Sequence, residues 1–288
     1  MRNRTTTRVL TAALAITLAL TGTAGAAAAR TAPAKRVFNS LQIIFEPDRP
    51  DDFCTIGAVG TDRYVRTIAI SAGHCLTDPT GRYGDRDIPE NVQPVYDRAD
   101  PAFGPIGYVR YFKDRKGSMT GDPVKDYMII ELVPSVTPSA RGPYLTETGE
   151  LEVPGGQPSP NALNPPLDGE RLLATALNDT NELVVSGQLG VSYGRVTANR
   201  SGIYQSWAQH KRGDSGGPAI WHEPGTAYPT PGNGLTAAGP WAGITKAIVL
   251  GVPPYVYTSS ANILADLRAR DAVSPGVYGA GFHVTANP

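Results

Sequence analysis

The sequence has few cysteines and no excess of charge of either sign. It holds 2 cysteines in 288 residues, and its 26 lysines and arginines balance its 26 aspartates and glutamates. A balanced chain lacks the basic footprint of nucleic-acid binding proteins, so we expect no nucleic-acid partner. Two cysteines are also too few for a metal site that needs about four ligands, so we expect no metal.

Long apolar runs are missing beyond the first thirty residues, which excludes a membrane-spanning helix there. At the N-terminus, three arginines within the first eight residues precede an apolar run at 9–20, and small residues follow up to Ala29. This pattern is typical of a secretory signal peptide, which we place at 1–29. A membrane anchor is the alternative, but the run is shorter than the roughly 20 apolar residues that a spanning helix needs. We therefore expect a secreted, extracellular protein without membrane contact after cleavage.

Export would allow the two cysteines to form a disulfide, because secreted proteins meet an oxidising environment. In that compartment an even pair of cysteines favours a disulfide over a metal site. We therefore expect one bridge between Cys54 and Cys75. Such a bridge would contribute roughly 3 kcal/mol in the chain-entropy model.

Most of the remaining sequence consists of short apolar runs separated by Gly, Pro, Asn and Asp, such as "LQIIF" at 41–45. This spacing predicts a β-barrel or a β-sandwich. The proline-rich segment 134–166 is interpreted as a connection between two β halves, with one long functional loop as the alternative. We predict a helix at 259–273, where serines can cap a segment with Ile263, Leu264 and Leu267 at helical spacing.

The stretch "KRGDSGGPAI" at 211–220 sets Ser215 among three glycines. A serine hydroxyl becomes a strong nucleophile only when a base takes its proton and donors stabilise the oxyanion that forms on its target. The glycines allow backbone amides to converge on one point. The amides of Gly213 and Ser215 are therefore candidates for an oxyanion hole.

Candidates for the base and for its supporting carboxylate lie upstream of the serine. His74 lies in "AISAGHCLTD" at the end of an apolar run, although a lone histidine is more often structural than catalytic. Asp126 begins the apolar run "DYMIIELV", which would carry its carboxylate into the interior. The rivals Asp114 and Asp122 lie in a polar segment that contains glycine. We favour Asp126.

Together, "SAGHC" at 71–75, "DYMII" at 126–130 and "GDSGGP" at 213–218 resemble the motifs of the chymotrypsin-like (trypsin-fold) serine endopeptidases, in that family's order of His, Asp and Ser. The resemblance implies an all-β fold of two six-stranded antiparallel barrels with the active site between them, followed by a C-terminal helix. The expected organisation is a short candidate pro-segment at 30–36, a first barrel at 37–133, a connection at 134–166, a second barrel at 167–258, and a helix and tail at 259–288.

The resemblance also implies roles for the motif residues. Ser215 would be the nucleophile, His74 the general base and Asp126 the carboxylate that orients it, with Gly213 and Ser215 forming the oxyanion hole. The reaction implied is hydrolysis of protein or peptide substrates by a monomer, without metal or organic cofactor. Cys54 and Cys75 fit the family's bridge beside the histidine. A catalytically inactive binding protein of the same fold and an esterase are the alternatives.

The substrate pocket departs from the trypsin-like pattern. The position that is acidic in trypsin-like members, six residues before the nucleophile, is Gln209. The substrate-binding edge strand, matched to "AGITKAI" at 242–248, offers Lys246, Ala247 and Ile248 in place of the family's usual Ser-Trp-Gly pattern. Tyr255 in "PYVYTSS" would take the place of a pocket glycine, because the better letter match "PGVYGAG" at 275–281 has no helix after it. The alternative is that its ring turns outward and packs against the final helix. We predict a specificity that is not trypsin-like.

Asp214 bears on whether the protein needs a proteolytic cleavage to become active. In animal members of the family the matching aspartate pairs with a new N-terminal ammonium, and "KRVFNS" at 35–40 offers a dibasic site before Val37. Val37 lies closer to Cys54 than that arrangement usually allows. We therefore expect an internal partner for Asp214, with Arg171, Arg195 and Lys246 as the candidates.

Overall fold

Strands dominate the chain in the computed structural model, which describes residues 35–76, 84–114, 125–139, 144–145, 151–152, 167–172, 177, 180–222 and 239–284. These residues all belong to one compact unit, Pro33–Pro288. The predicted signal peptide, Asp122 and most of the predicted connection lie outside the described residues. None of the described helices is long and apolar enough to cross a membrane.

The described part of the chain contains twenty strands and one α-helix, α1 (Ser260–Val273). The strands are β1 (Lys35–Phe38), β2 (Gln42–Ile44), β3 (Phe53–Thr55), β4 (Ala58–Thr61), β5 (Thr67–Ser71), β6 (Gly84–Asp87), β7 (Pro94–Asp97), β8 (Pro105–Asp114), β9 (Tyr127–Leu132), β10 (Val136–Ser139), β11 (Tyr144–Leu145), β12 (Leu151–Glu152), β13 (Leu167–Leu172), β14 (Glu182–Gly187), β15 (Gly190–Arg200), β16 (Ile203–Ser206), β17 (Pro218–His222), β18 (Gly239–Ile248), β19 (Tyr255–Ser259) and β20 (His283–Val284). Two short 3-10 turns lie at Gly73–Cys75 and Pro101–Phe103.

The C-terminal half forms a closed barrel. Its strands run in the order β18, β17, β14, β15, β16 and β19, and β19 pairs back with β18 to close the sheet. Successive residues of one strand point to opposite faces, so Leu183 and Val185 lie in the interior of this barrel with Tyr204 and Tyr257, whereas Val184 packs outside it. This alternation explains why the apolar run "ELVVSG" forms a strand that is buried on both faces.

The N-terminal half is a curled sheet with the strand order β20, β4, β5, β9, β8, β7, β2 and β3, and with β6 paired to β8. The sheet therefore has β4 near one end and β3 at the other, although only two residues separate them in the chain. Both of these residues donate backbone hydrogen bonds, Ile56 to the carbonyl of Leu41 (2.9 Å) and Gly57 to the carbonyl of Ile70 (2.8 Å). The bent segment β3–β4 thus joins the two ends of the sheet.

The two halves pack against each other through a shared apolar cluster. Ile70 and Ile129 of the first sheet meet Trp241 and Ile244 of the second, and the cluster also takes in Leu267 of α1. Burial of each such side chain contributes about 1.5–3 kcal/mol. The predicted all-β fold of two barrels with a C-terminal helix is confirmed.

The helix begins where the sequence predicts it. The Oγ of Ser259 accepts a hydrogen bond from the amide of Asn262 (3.1 Å), which satisfies one of the free amides at the start of α1. After the helix the chain returns to the first sheet, where β20 pairs with β4. Arg66 holds this returning segment by donating to the carbonyls of Gly276 (2.9 Å) and Val277 (2.7 Å). The tail at 275–284 therefore packs on the first half of the fold.

Five described strands fall wholly or partly in segments for which the sequence predicted no strand: β1, β10, β11, β12 and β20. Lys35 of the candidate pro-segment begins β1, which pairs in parallel with β10 from the start of the predicted connection. Val37 is fully buried in β1.

The expected disulfide is present and bonds Cys54 to Cys75. It links β3 to the 3-10 turn Gly73–Cys75, which carries His74. The bridge therefore fastens the turn that presents the histidine to the strand that joins the ends of the first sheet.

We predict that this bridge forms in the native protein and stabilises it. Alkylation of the folded, unreduced protein should modify no thiol, as mass spectrometry would show. The Cys54→Ala/Cys75→Ala variant should lose roughly 3 kcal/mol of unfolding free energy in urea denaturation, because the unfolded chain regains loop freedom. Two alkylated thiols in the unreduced protein would contradict the prediction.

Candidate active site

His74 lies in the 3-10 turn that follows β5. The turn needs a glycine before the histidine, because a Cβ on Gly73 would collide with the backbone carbonyl of Lys113 on the neighbouring strand β8. The imidazole is about one-third exposed, with a side-chain accessibility of 32%. The backbone of His74 is therefore fixed within the turn, and its ring is open to solvent on one side.

Asp126 lies directly before β9, whose pairing with β5 places it beside His74. Its Oδ1 accepts a hydrogen bond from the backbone amide of His74 (3.0 Å), and its Oδ2 lies 2.8 Å from the His74 Nδ1. The residue is only 2% exposed. The apolar strand thus carries the carboxylate into the interior, as the sequence predicts.

Ser215 comes from the second half of the fold, on the loop between β16 and β17. Its Oγ lies 2.9 Å from the Nε2 of His74. The loop turns at Gly213 (φ +97°) and Gly216 (φ +86°), a backbone region that favours glycine. A Cβ on Gly216 would also collide with the Oγ of Ser71. The two glycines therefore allow the serine to reach the histidine of the first sheet.

These three side chains form a hydrogen-bonded chain from carboxylate to imidazole to hydroxyl. With Asp126 accepting from Nδ1–H, the neutral ring keeps Nε2 free to accept the hydroxyl proton of Ser215. The structure thus brings together the three residues that the sequence selected as a triad. Asp114 and Asp122, the rival aspartates, have no described side chain.

The backbone amides of Gly213 and Ser215, the candidate oxyanion hole, remain available as donors. The backbone carbonyls of these two residues are held by Thr55. The carbonyl of Gly213 accepts from the Oγ1 of Thr55 (2.8 Å), and the carbonyl of Ser215 accepts from the backbone amide of Thr55 (2.9 Å). Neither amide has an acceptor within the described residues. Unpaired amides beside a serine hydroxyl can stabilise an anionic oxygen bound there.

Lys246 of β18 completes the surroundings of Asp126. Its Nζ donates to the same Oδ2 that faces the His74 ring, at 2.9 Å. Burial alone would raise the pKa of Asp126, but His74 and Lys246 together outweigh it and hold this pKa far below its usual range. The carboxylate is therefore ionised throughout the range in which proteins fold. The sequence indicated Lys246 only as a pocket residue or as a partner of Asp214.

Asp214 is satisfied by neutral donors. Its carboxylate accepts hydrogen bonds from the backbone amides of Gln188 (3.0 Å) and Lys211 (2.9 Å), and from the Gln188 side chain (3.2 Å). Of the three cationic partners considered from the sequence, Lys246 binds Asp126 instead, and the side chain of Arg171 is not described. Between Asp214 and Arg195 the structure shows no ion pair.

The other predicted pocket residues differ in exposure. Gln209 is exposed, and its backbone amide donates to the Oγ of Ser192 (2.8 Å). Ile248, at the end of β18, is 52% exposed. Tyr255 is partly buried and packs against the ring of His210, with 5.4 Å between ring centroids.

His210 is a buried group near the site that sequence reasoning missed. It is 4% exposed, and Tyr257 packs on it from another direction at 5.4 Å. Its Nε2 is buried without a partner in the described structure. Burial lowers the pKa of His210 to about 4, a backbone hydrogen bond to Val256 opposes the change, and the nearby His74 adds to it. The only signal in the sequence was its position next to Gln209.

We predict that His210 makes the folded protein sensitive to acid. Folded His210 binds its proton near pH 4, whereas an unfolded histidine binds it near pH ~6.5. Between these values the unfolded chain binds more protons, so the free energy of unfolding falls as the pH is lowered, by on the order of 3 kcal/mol in total. The variant His210→Phe should lose this slope between pH 6.5 and 4 in urea denaturation, while His283→Phe, at an exposed position, should keep it. An unchanged slope in His210→Phe would contradict the prediction.

Comparisons with known proteins place the chain beside bacterial proteases of solved structure. No protein-family model matches the chain, and no curated protein matches it. Thermobifida fusca Protease A is 14% identical, with a TM-score of 0.47, over 88% of this chain and 100% of that protein. Cellulomonas bogoriensis chymotrypsin is 17% identical, with a TM-score of 0.46, over the same shares of the two chains. A Nocardiopsis protease is 13% identical, with a TM-score of 0.44, over 80% of this chain and 96% of that one. The closed six-stranded barrel and the curled sheet of this chain match the two-barrel chymotrypsin-like fold that the three motifs predict.

Proposed function

We propose that the protein is a secreted serine endopeptidase that hydrolyses peptide bonds through an acyl-enzyme on Ser215. The observation that carries the proposal is the hydrogen-bonded chain from Asp126 through His74 to Ser215, with distances of 2.8 and 2.9 Å. A serine aligned with a base that is itself oriented by a buried carboxylate is the arrangement that activates a hydroxyl for nucleophilic attack.

The first half of the reaction forms the acyl-enzyme. The Nε2 of His74 takes the proton of Ser215 while Oγ bonds to the carbonyl carbon of the substrate, and the carbonyl electron pair moves to oxygen. The amides of Gly213 and Ser215 stabilise this oxyanion, and Asp126 stabilises the imidazolium without taking its proton. When the carbonyl re-forms, the C–N bond breaks and His74 gives its proton to the leaving amine.

The second half repeats these steps with water. His74 takes a proton from the water molecule as its oxygen attacks the acyl carbon, and the tetrahedral intermediate collapses with return of the proton to Ser215. No step needs a metal or an organic cofactor. The substrates proposed are proteins or peptides, and the apolar N-terminal segment supports export of the enzyme.

The pocket supports a preference for small or medium uncharged residues before the scissile bond. Gln209 is uncharged and cannot form an ion pair with a substrate lysine or arginine. The carboxylate of Asp126 is already bound by the ammonium of Lys246. Asp214 is buried and its carboxylate is occupied by three donors. A cationic side chain therefore has no free carboxylate among these residues, and we propose that the tyrosine ring at 255 narrows the space for a large apolar one.

We predict that Ser215→Ala, His74→Ala and Asp126→Ala each lower kcat/KM for peptide hydrolysis by about 10⁴ to 10⁶. Because the three residues act as a unit, a double variant should lose little more than a single one. A serine-directed phosphonylating probe, followed by mass spectrometry, should label Ser215 in the native protein and leave Ser215→Ala unlabelled.

Three outcomes would contradict this proposal or one of its assignments. Absence of labelling in correctly folded protein would indicate a binding protein of the same fold. Turnover of simple esters without digestion of casein would indicate an esterase. Retained peptide hydrolysis in Asp126→Ala would refute the assignment of the carboxylate.

We predict further that Tyr255 limits the size of the residue accepted before the cut. Removing the ring in Tyr255→Gly should raise kcat/KM for Phe and Leu substrates by about tenfold or more, because a hydrophobic pocket discriminates by ~1–3 kcal/mol per methylene. Profiling on a mixed peptide library measures this. The control Tyr255→Phe keeps the ring and should keep the profile. An unchanged profile in Tyr255→Gly would mean that this residue does not line the pocket.

A further inference from the structure

Besides the ring of His74, the carboxylate of Asp126 receives a second side-chain donor, the ammonium of Lys246, that the proposed reaction does not use. Oδ2 accepts from the Nδ1 of His74 at 2.8 Å and from the Nζ of Lys246 at 2.9 Å. The donors come from different halves of the fold, His74 from the turn after β5 and Lys246 from β18. One oxygen atom therefore serves both the general base and a lysine ammonium.

We propose that Lys246 is a positioning residue that sets the pH range of the reaction, because its ammonium neutralises Asp126 and so lowers the proton affinity of the His74 ring. This inference rests on the proposed function, in which His74 must be unprotonated to accept the hydroxyl proton of Ser215. It concerns the residue's effect on the base, since Lys246 itself takes no part in bond making.

The ammonium is held where its charge acts strongly. The side chain of Lys246 is 11% exposed and that of Asp126 is 3% exposed, so little water lies between or around the two charges. Interactions between charges in such surroundings are screened much less than at the surface. Asp126 is the partner that the described structure gives to this ammonium.

Two effects then act on the imidazole in the same direction. An isolated carboxylate attracts the protonated ring and would raise its proton affinity, but the pair of Asp126 and Lys246 is neutral overall and attracts it less. The ammonium and the imidazolium are also like charges that share one acceptor oxygen, which further disfavours protonation. His74 is therefore expected to lose its proton at a lower pH than it would beside a carboxylate alone.

Among the described residues, the other charged groups around the His74 turn are engaged elsewhere or neutral. The ammonium of Lys113 on β8 lies 3.3 Å from a carboxylate oxygen of Asp266 in α1. Lys125, which precedes Asp126, pairs with the same carboxylate at 2.9 Å. His210 adds repulsion only when it is itself protonated, and its pKa of about 4 keeps it neutral above that pH. Lys246 is thus the cation in contact with the carboxylate that orients His74.

The consequence for activity is a shift of the acid limb of the pH–rate profile. This limb reports protonation of the essential base in the free enzyme. A limb that lies one pH unit lower gives a higher activity at acidic pH. At pH values below the limb, the activity is about tenfold higher than in an enzyme without the lysine. A lysine that only stabilised the fold would leave the limb in place.

The test is a pH titration of His74 by NMR on protein labelled with ¹⁵N-histidine, with the His74 signals assigned by their loss in His74→Ala. In Lys246→Met the titration midpoint should rise by about one pH unit or more. In Lys246→Arg, which keeps the charge, it should stay near the wild-type value. Lys35→Met is the matched control, because Lys35 forms a partly buried ion pair with Asp97 in the first sheet, away from the site.

Two results would overturn the proposal. One is an unchanged midpoint in Lys246→Met, and the other is an equal rise in Lys246→Arg. Should Lys246→Met fail to fold, Lys246→Gln takes its place, since it also removes the charge, and the same two comparisons apply to it. The titration needs no turnover, so an inactive wild-type protein would refute the proposed function while leaving this measurement decisive.

Discussion

Removing a carboxylate from water is costly unless donors replace the lost hydration, and Asp126 is 2% exposed. Its two oxygens receive three hydrogen bonds, from the backbone and ring of His74 and from Lys246. Because His74 and Lys246 belong to different halves of the fold, the carboxylate is satisfied only when the two sheets are docked. The site geometry and the packing of the halves therefore depend on the same charge.

The bent segment β3–β4 positions the other partners of the site. Adjacent residues of a strand point to opposite faces, and Cys54 and Thr55 use this alternation for two contacts. Cys54 bonds to Cys75 beside His74, while Thr55 holds the nucleophile loop through the carbonyls of Gly213 and Ser215. A single strand thus fixes the base and the nucleophile relative to each other, although 141 residues separate His74 and Ser215 in the chain.

Local signals and the three family-like motifs were readable in the sequence, so the helix, the Cys54–Cys75 bridge and the grouping of His74, Asp126 and Ser215 could be predicted, whereas distant contacts outside those motifs could not. The helix was predicted at 259–273 and observed at Ser260–Val273, because the serine cap and the helical spacing are local signals. The Lys246–Asp126 pair joins residues 120 positions apart, and apolar periodicity carries no information on such a contact. The return of the tail to pair as β20 escaped prediction for the same reason, since its partner β4 lies more than 200 residues earlier. Burial of His210 likewise depends on a distant residue, Tyr257, whose ring packs against it.

The surroundings of Asp214 bear on whether the site needs an activating cleavage. An internal carboxylate requires donors, and the amides of Gln188 and Lys211 with the Gln188 side chain supply them within the chain. Val37, the residue that a dibasic cleavage would expose, is fully buried in β1 with its strand paired to β10. Cleavage there would break this pairing and would bring an ammonium to a carboxylate that already has three donors. We infer that the loop carrying Gly213 and Ser215 is held by these neutral hydrogen bonds and not by a new N-terminus.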